Sequence, residues 1–236
     1  MYDGEGCWKI APVRAVAPMV LRGDLARMSE PIAEVVASST REIVAEVFRE
    51  AEPPPFGTWI EVRTAADHRL YALVSHAETG SLEPGRRAQA LGPGWTPDAI
   101  QREMPQLQEL IRTTVRAQVL GWWDGQSTRP DGRPRVRQSL PPQIAALHDR
   151  VAMCEPETVA LLGEPFDALR TLARHPDPAV PADELIAAVL AGLYRAHGQG
   201  DEGERALLSA GRALLRLLDD DHERLTSILR RAQDAI

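Results

Sequence analysis

The chain has almost no lysine. Among its 236 residues and 27 basic side chains, Lys9 is the single lysine. The phosphate-binding loop of Walker-type ATPases, G-x-x-x-x-G-K-[ST], needs a lysine that reaches the nucleotide phosphates. Lys9 follows no such loop. The sequence therefore excludes a Walker-type ATPase.

Cysteine and long apolar runs are also scarce. Cys7 and Cys154 are the two cysteines and form no C-x-x-C pair, which predicts reduced thiols in a cytoplasmic protein. No apolar run reaches the roughly 18 residues of a transmembrane helix, so no membrane span is expected. Residues 8–21 are apolar, but Arg14 and two prolines interrupt them and no clean cleavage site follows. They predict a flexible N-terminal extension over 1–29 rather than a signal peptide.

Positive charge is not in excess. The formal net charge is −7, with 44% hydrophobic and 26% charged residues, as in an ordinary globular protein. A general electrostatic attraction to nucleic acid or anionic lipid is therefore absent. The net charge does not exclude a local cluster of basic side chains.

What the sequence does contain is a series of β-type runs in its first 142 residues. They alternate or are rich in β-branched residues, and the clearest hairpin joins 59–64 to 69–76. Residues 41–48 also fit a short helix. The predicted strands are 32–37, 41–48, 59–64, 69–76, 113–123 and 136–140. They indicate a closed or partly closed barrel of about six strands over 30–142.

Helical patterns interrupt and then follow this barrel. Thr96-Pro97-Asp98 is a helix start, and Pro105 divides the inserted helix 97–112 into two pieces or kinks it. After Pro142 the composition becomes helical, with an apolar stripe over 204–218. The sequence predicts an α+β protein whose C-terminal domain, 143–236, is all-helical with four or five helices.

No constellation of reactive residues is present. The six histidines do not pair at the i, i+4 spacing of a helical zinc site, and no G-x-S-x-G elbow occurs. Cys154 is expected to be a small buried residue just before a helix that starts near Pro156. Asp221 is expected to cap the last helix. We predict no catalytic residues, no metal and no cofactor.

One concentration of arginine accompanies the tryptophans. Arginine-lined grooves with stacking rings bind single-stranded nucleic acid, whereas a solvated loop beside core tryptophans has the same composition. The Trp95 side chain is a further aromatic ring on which a base could stack in such a groove. The candidate interaction surface consists of Arg86, Arg87, Trp122, Trp123, Arg129, Arg133, Arg135 and Arg137.

The hairpin region carries a resemblance to a known family. Its residues read PFGTWIEVRT, HRLYALVSHAETGSLEP and RAQALG. This order is similar to the HAS barrel that HerA-type DNA translocases share with rotary ATP synthase subunits. Over about 30–232 the chain also resembles an uncharacterised family from cyanobacteria and related bacteria, through EMPQLQELIRTT, LPPQIAALHDRVAMCEPE and LLSAGRALLRLLDDDHERLTSILRRA. No nucleotide-binding core follows the barrel, so the resemblance does not imply ATP hydrolysis.

Two functions follow as expectations. The first is a non-catalytic interaction or assembly module that docks through its barrel on a ring ATPase, a translocase or another complex, or on itself. The alternative is a single-stranded nucleic-acid-binding protein that uses the arginine-rich loop 129–137 and the barrel face.

Overall fold

The computed structural model describes residues 29–81 and 89–236. The predicted N-terminal extension, except for its last residue, lies outside the described residues, as do Arg86 and Arg87. No helix in the described part has both the length and the apolar character needed to cross a bilayer.

Six antiparallel strands form a closed barrel, which confirms the α+β class and the predicted strand number. Around the barrel the order is β1-β2-β5-β4-β3-β6. The segment 41–48, which the sequence left open between strand and helix, is a strand. The strands are β1 Ala33–Ser38, β2 Glu42–Val47, β3 Trp59–Arg63, β4 Arg69–Ser81, β5 Ile111–Trp123 and β6 Arg150–Met153.

The barrel interior follows the period-two alternation of the strands. Ile60 and Val62 of β3 point inward, as do Leu70, Ala72 and Val74 of β4, and all five are buried. Their neighbours in the sequence face outward. The residues between the inward positions therefore form a second surface.

Five helices cover part of this outer surface. Trp59, Tyr71, Leu73 and Leu120 on the outside of β3, β4 and β5 belong to the same hydrophobic core as the helical leucines. Both faces of these strands are therefore buried. The helices are α3 Pro156–Gly163, α4 Asp167–Ala173, α5 Ala182–Ala196, α6 Asp201–Leu217 and α7 His222–Asp234.

A close contact at Gly57 positions the helices on the barrel. Gly57 has a φ of +76°, which favours glycine, and a Cβ added there would overlap the Cβ of Ala188 in α5. The turn before β3 therefore lies directly against Ala188 of α5, with no room for a side chain at Gly57.

Helix boundaries agree with the local signals in the sequence. The Asp221 carboxylate accepts a hydrogen bond from the Arg224 backbone amide at 3.0 Å, so Asp221 caps α7 as predicted. The α3 helix begins at Pro156, also as predicted. Both signals lie within a few residues of the boundary that they mark.

The inserted helical segment divides at Pro105. It forms the short helices α1 Pro97–Glu103 and α2 Pro105–Glu109 because proline lacks the backbone N–H that would continue the first helix. The predicted end at residue 112 is wrong, since β5 already begins at Ile111.

The predicted closing strand is also wrong. Residues 136–140 make an isolated bridge between Arg137 and Trp122 and form no barrel strand. Val136 instead packs into the helical core. The strand that closes the barrel is β6, which pairs with both β1 and β3. The barrel therefore extends past residue 142, its predicted end.

Candidate interaction surfaces

Arg137 and Trp122 are held in a local network where β5 ends. The Arg137 guanidinium lies 4.6 Å from the centre of the Trp122 ring. One of its nitrogens lies 3.0 Å from the Asp124 carboxylate and another donates to the Ser127 hydroxyl at 3.1 Å. Arg137 is therefore engaged within the fold.

Asp124 is the centre of that network. Partial burial by itself would raise the pKa of this carboxyl. Hydrogen bonds from the Ser127 hydroxyl and amide, the Gln126 amide and Arg137 outweigh burial, and the pKa lies well below its usual range. Asp124 is therefore ionised throughout the neutral range and balances the Arg137 charge.

Trp123, the second tryptophan of the predicted interaction surface, lies on the opposite face of β5 from Trp122. It packs against the helical core, and its indole N–H donates to the Ser127 carbonyl at 2.8 Å. Trp122 packs instead against the barrel interior. The two neighbouring rings therefore do not lie side by side in one groove.

The loop arginines belong to a small hairpin. Thr128 bridges Pro134, and the Arg129 amide donates to the Arg133 carbonyl at 2.7 Å. Arg129 and Arg133 line a pocket together with Arg205 of α6, while Arg135 is exposed. Sequence reasoning missed Arg205 because it stands far from the loop and only the helix packing brings it there.

A buried ion pair lies on the barrel wall beneath the helices. The Arg69 guanidinium is 2.9 Å from the Glu61 carboxylate, and the two residues are 3% and 4% exposed. Burial raises the pKa of Glu61, and the Arg69 charge opposes this shift. Burial also raises the pKa values of Tyr71 and Cys154 next to the pair.

These shifts do not create a nucleophile. A raised pKa keeps the Cys154 thiol and the Tyr71 hydroxyl protonated at neutral pH. Cys154 packs against the edge of the helical core. The pair therefore serves to neutralise charge in the layer between barrel and helices.

The strands β4 and β5 continue beyond the barrel as a ribbon. Their pairing runs from Arg69 opposite Trp123 to Ser81 opposite Ile111. The neighbouring strands end earlier, because β3 pairs with β4 only as far as Leu73, and β2 pairs with β5 only from Thr114 onward. We call the projecting part, residues 77–81 and 89–113, the arm.

The arm carries an apolar groove of about 870 Å³. Three large apolar residues are partly exposed together in this groove: Leu91 is 42%, Trp95 37% and Ile111 43% exposed. Contiguous apolar surface of this kind is typical of interaction sites. The groove is lined by Ser81, Gln89, Ala90, Leu91, Gly92, Pro93, Trp95, Ile100, Leu107, Leu110 and Ile111.

The position of Trp95 separates it from the other two rings. The arm groove lies at the Ser81 end of the ribbon and Trp122 at the opposite end. The twelve residue steps between these ends correspond to roughly 40 Å along a strand. The structure therefore does not assemble the three tryptophans into one base-stacking groove.

Comparison with protein-family models and with curated proteins finds no match for this chain. The resemblance to the HAS barrel therefore stays a prediction. Within residues 29–81 and 89–236, no group of three or more His, Cys, Asp or Glu side chains is arranged to hold a metal ion.

Proposed function

We propose that the chain is a non-catalytic interaction module that docks a protein partner in the arm groove. The observation that carries this proposal is the exposure of Leu91, Trp95 and Ile111 on a segment that projects from the barrel. Large aromatic and aliphatic side chains in a groove are the usual anchors of protein interfaces.

The shape and chemistry of the groove define the partner segment. Its floor and walls are mainly aliphatic and aromatic: Ile100 comes from α1, Leu107 from α2, and Leu110 lies between α2 and β5. An amphipathic segment that inserts two or three large apolar side chains fits such a surface. Binding of this kind covers the apolar area that the arm leaves in water.

The barrel resemblance supplies the first partner class to test. In HAS-barrel proteins the barrel sits as a collar on an ATPase ring, so a ring ATPase or translocase is the first candidate. The arm groove then replaces the barrel face as the expected contact.

Site-specific photo-cross-linking tests the groove directly. With p-benzoylphenylalanine at Ile111 of the full chain, irradiation in native lysate is expected to yield one defined protein adduct. The matched control places the probe at Leu208, which is 59% exposed on α6. The adduct protein, once purified, is expected to bind the wild-type chain and to bind a Trp95→Ser variant about tenfold more weakly.

Several outcomes would contradict this function. One is the lack of any adduct at Ile111, and another is the same adduct at Leu208. Unchanged affinity of the purified partner for Trp95→Ser would equally exclude the groove. Light scattering on the purified chain distinguishes self-association from a different partner.

The nucleic-acid alternative rests on the exposed Arg135 and its hairpin neighbour Arg133. It predicts salt-sensitive binding of single strands that Arg133→Glu or Arg135→Glu weakens. Fluorescence anisotropy with a labelled single-stranded oligonucleotide at low salt tests it. No change in anisotropy on adding the protein would exclude this alternative and leave the arm-groove proposal untouched.

A further inference from the structure

A second concave site shares no lining residue with the arm groove and lies between the 127–135 hairpin and the helices. This pocket, of about 490 Å³, is formed by the 127–135 hairpin, the end of α3, the end of α5 and the first half of α6. Its volume falls within the range of small-molecule sites. We call it the arginine pocket.

The floor of the arginine pocket is apolar. Leu161 and Leu193 are buried, and Phe166 and Ala206 are half-buried beside them. Gly163 permits the close packing of α3 on α5, because a Cβ at this position would meet the Leu193 side chain. A bound molecule therefore meets hydrocarbon at the base of the pocket.

The rim of the pocket is cationic. Arg129 and Arg133 come from the hairpin and Arg205 from α6. Arg129 donates to the Glu164 carbonyl at 3.4 Å and Arg205 to the Asp201 carbonyl at 3.0 Å. A guanidinium has five N–H donors, so these contacts leave most of them available.

The charges of these arginines are not matched locally. Within the described residues, neither Arg129 nor Arg205 has a carboxylate within 4.0 Å, and Arg133 approaches Asp131 only at 4.0 Å. Arg137 in the same hairpin region is different, with Asp124 at 3.0 Å. The arginine pocket therefore has unsatisfied positive charge above an apolar floor.

His197 adds a further polar group. Its Nδ1 lies 2.9 Å from the Leu193 carbonyl, so Nδ1 carries the hydrogen and Nε2 is the nitrogen left for other contacts. The pocket is also lined by Glu164 and Glu202. Among the lining residues the three arginines exceed the two glutamates by one charge, and Asp131 lies 4.0 Å from Arg133 at the rim.

We propose that the arginine pocket binds a small organic monoanion, namely a carboxylate with an apolar body. The apolar body lies on Leu161, Phe166 and Leu193, and the carboxylate pairs with the guanidinium groups at the rim. Arginine suits this role because its planar donor fork matches the two carboxylate oxygens. The two glutamates disfavour a phosphate dianion.

Isothermal titration of the full chain with sodium octanoate and with sodium 4-phenylbutyrate tests the proposal. Saturable binding of at least one carboxylate to the wild type is expected. Arg205→Gln is expected to weaken it about tenfold or more, since it removes charge-assisted hydrogen bonds. Arg205 is exposed on α6, so the substitution leaves the fold intact, which circular dichroism checks.

Two controls make the result specific. Arg212→Gln removes an exposed arginine from the same helix outside the pocket and is expected to leave octanoate affinity unchanged. Octan-1-ol, which lacks the charge, is expected not to bind. The proposal is overturned if neither carboxylate saturates, if octanol binds as well, or if Arg205→Gln and Arg212→Gln behave alike. None of these results bears on the arm groove.

Discussion

The two ends of the β4–β5 ribbon have opposite surroundings. At one end even the charged Arg69 is only 3% exposed, where it pairs with Glu61 and lies over the Trp123 ring. At the other end the apolar Leu91, Trp95 and Ile111 remain 37% to 43% exposed. Burial along this ribbon therefore does not follow the polarity of the side chain, and the apolar end is the one where we propose that a partner docks.

The largest expected effect comes from breaking the charge pair at the covered end. Arg69→Met leaves the Glu61 carboxylate buried without its partner and is expected to lower the free energy of unfolding by about 3–5 kcal/mol. Urea denaturation measures it. The double variant Glu61→Leu/Arg69→Met is expected to recover most of the loss. A double variant no more stable than the single one would show that the pair itself stabilises the layer.

The next largest effect is expected from disrupting the contact between the barrel and α5 at Gly57. Gly57→Val forces a branched side chain into a positive φ and against Ala188, with an expected loss of about 3 kcal/mol. Gly211→Ala is the control, because its Cβ has open space in the middle of α6 and is expected to stabilise by up to about 1 kcal/mol. Equal stability of the Gly57 variant and the wild type would exclude the close contact.

The Asp124 network provides a pH-dependent test. Asp124→Asn weakens hydrogen bonds to a charged group and is expected to cost about 1–2 kcal/mol at neutral pH. Because the folded-state pKa of Asp124 is lowered, its contribution is present above the unfolded pKa of about 3.9. It is lost as the pH falls below that value. Urea denaturation from neutral to acidic pH should therefore show the two proteins converging, and a constant difference would contradict this.

The smallest effect is expected at the exposed end. Trp95→Ser should lower the free energy of unfolding by no more than about 1 kcal/mol, because Trp95 is 37% exposed and lines an open groove rather than a closed core. Leu73→Ala on the covered wall is the matched comparison and is expected to cost about 2–5 kcal/mol. Similar losses in thermal or urea denaturation would mean that the arm groove is part of the folding core.

Local signals account for the features that the sequence predicts well. Alternation in the 59–64 and 69–76 runs gives the inner and outer faces of β3 and β4, and Asp221 marks the start of α7. Each signal lies within a few residues of the feature that it determines. Such signals act before the chain has a tertiary structure.

The features that the sequence does not predict depend on contacts between residues far apart in the chain. The closing strand β6 is only four residues long, which is too short to show a period, and its place depends on β1 and β3. The meeting of Arg205 with Arg129 depends on how α6 packs. The distance of Trp95 from the other tryptophans depends on the length of the ribbon, and β4 runs five residues past its predicted end.

The late position of β6 has a consequence for how the chain folds during synthesis. Its Val151 pairs with Ala33, roughly 120 residues earlier in the chain. The edges of β1 and β3 therefore stay unpaired until β6 has been synthesised and has left the ribosome. Only two residues then separate β6 from α3. Pairing of β6 therefore closes the barrel and places the start of α3 beside it, whereas α4 to α7, which supply most of the covering core, follow later in the chain.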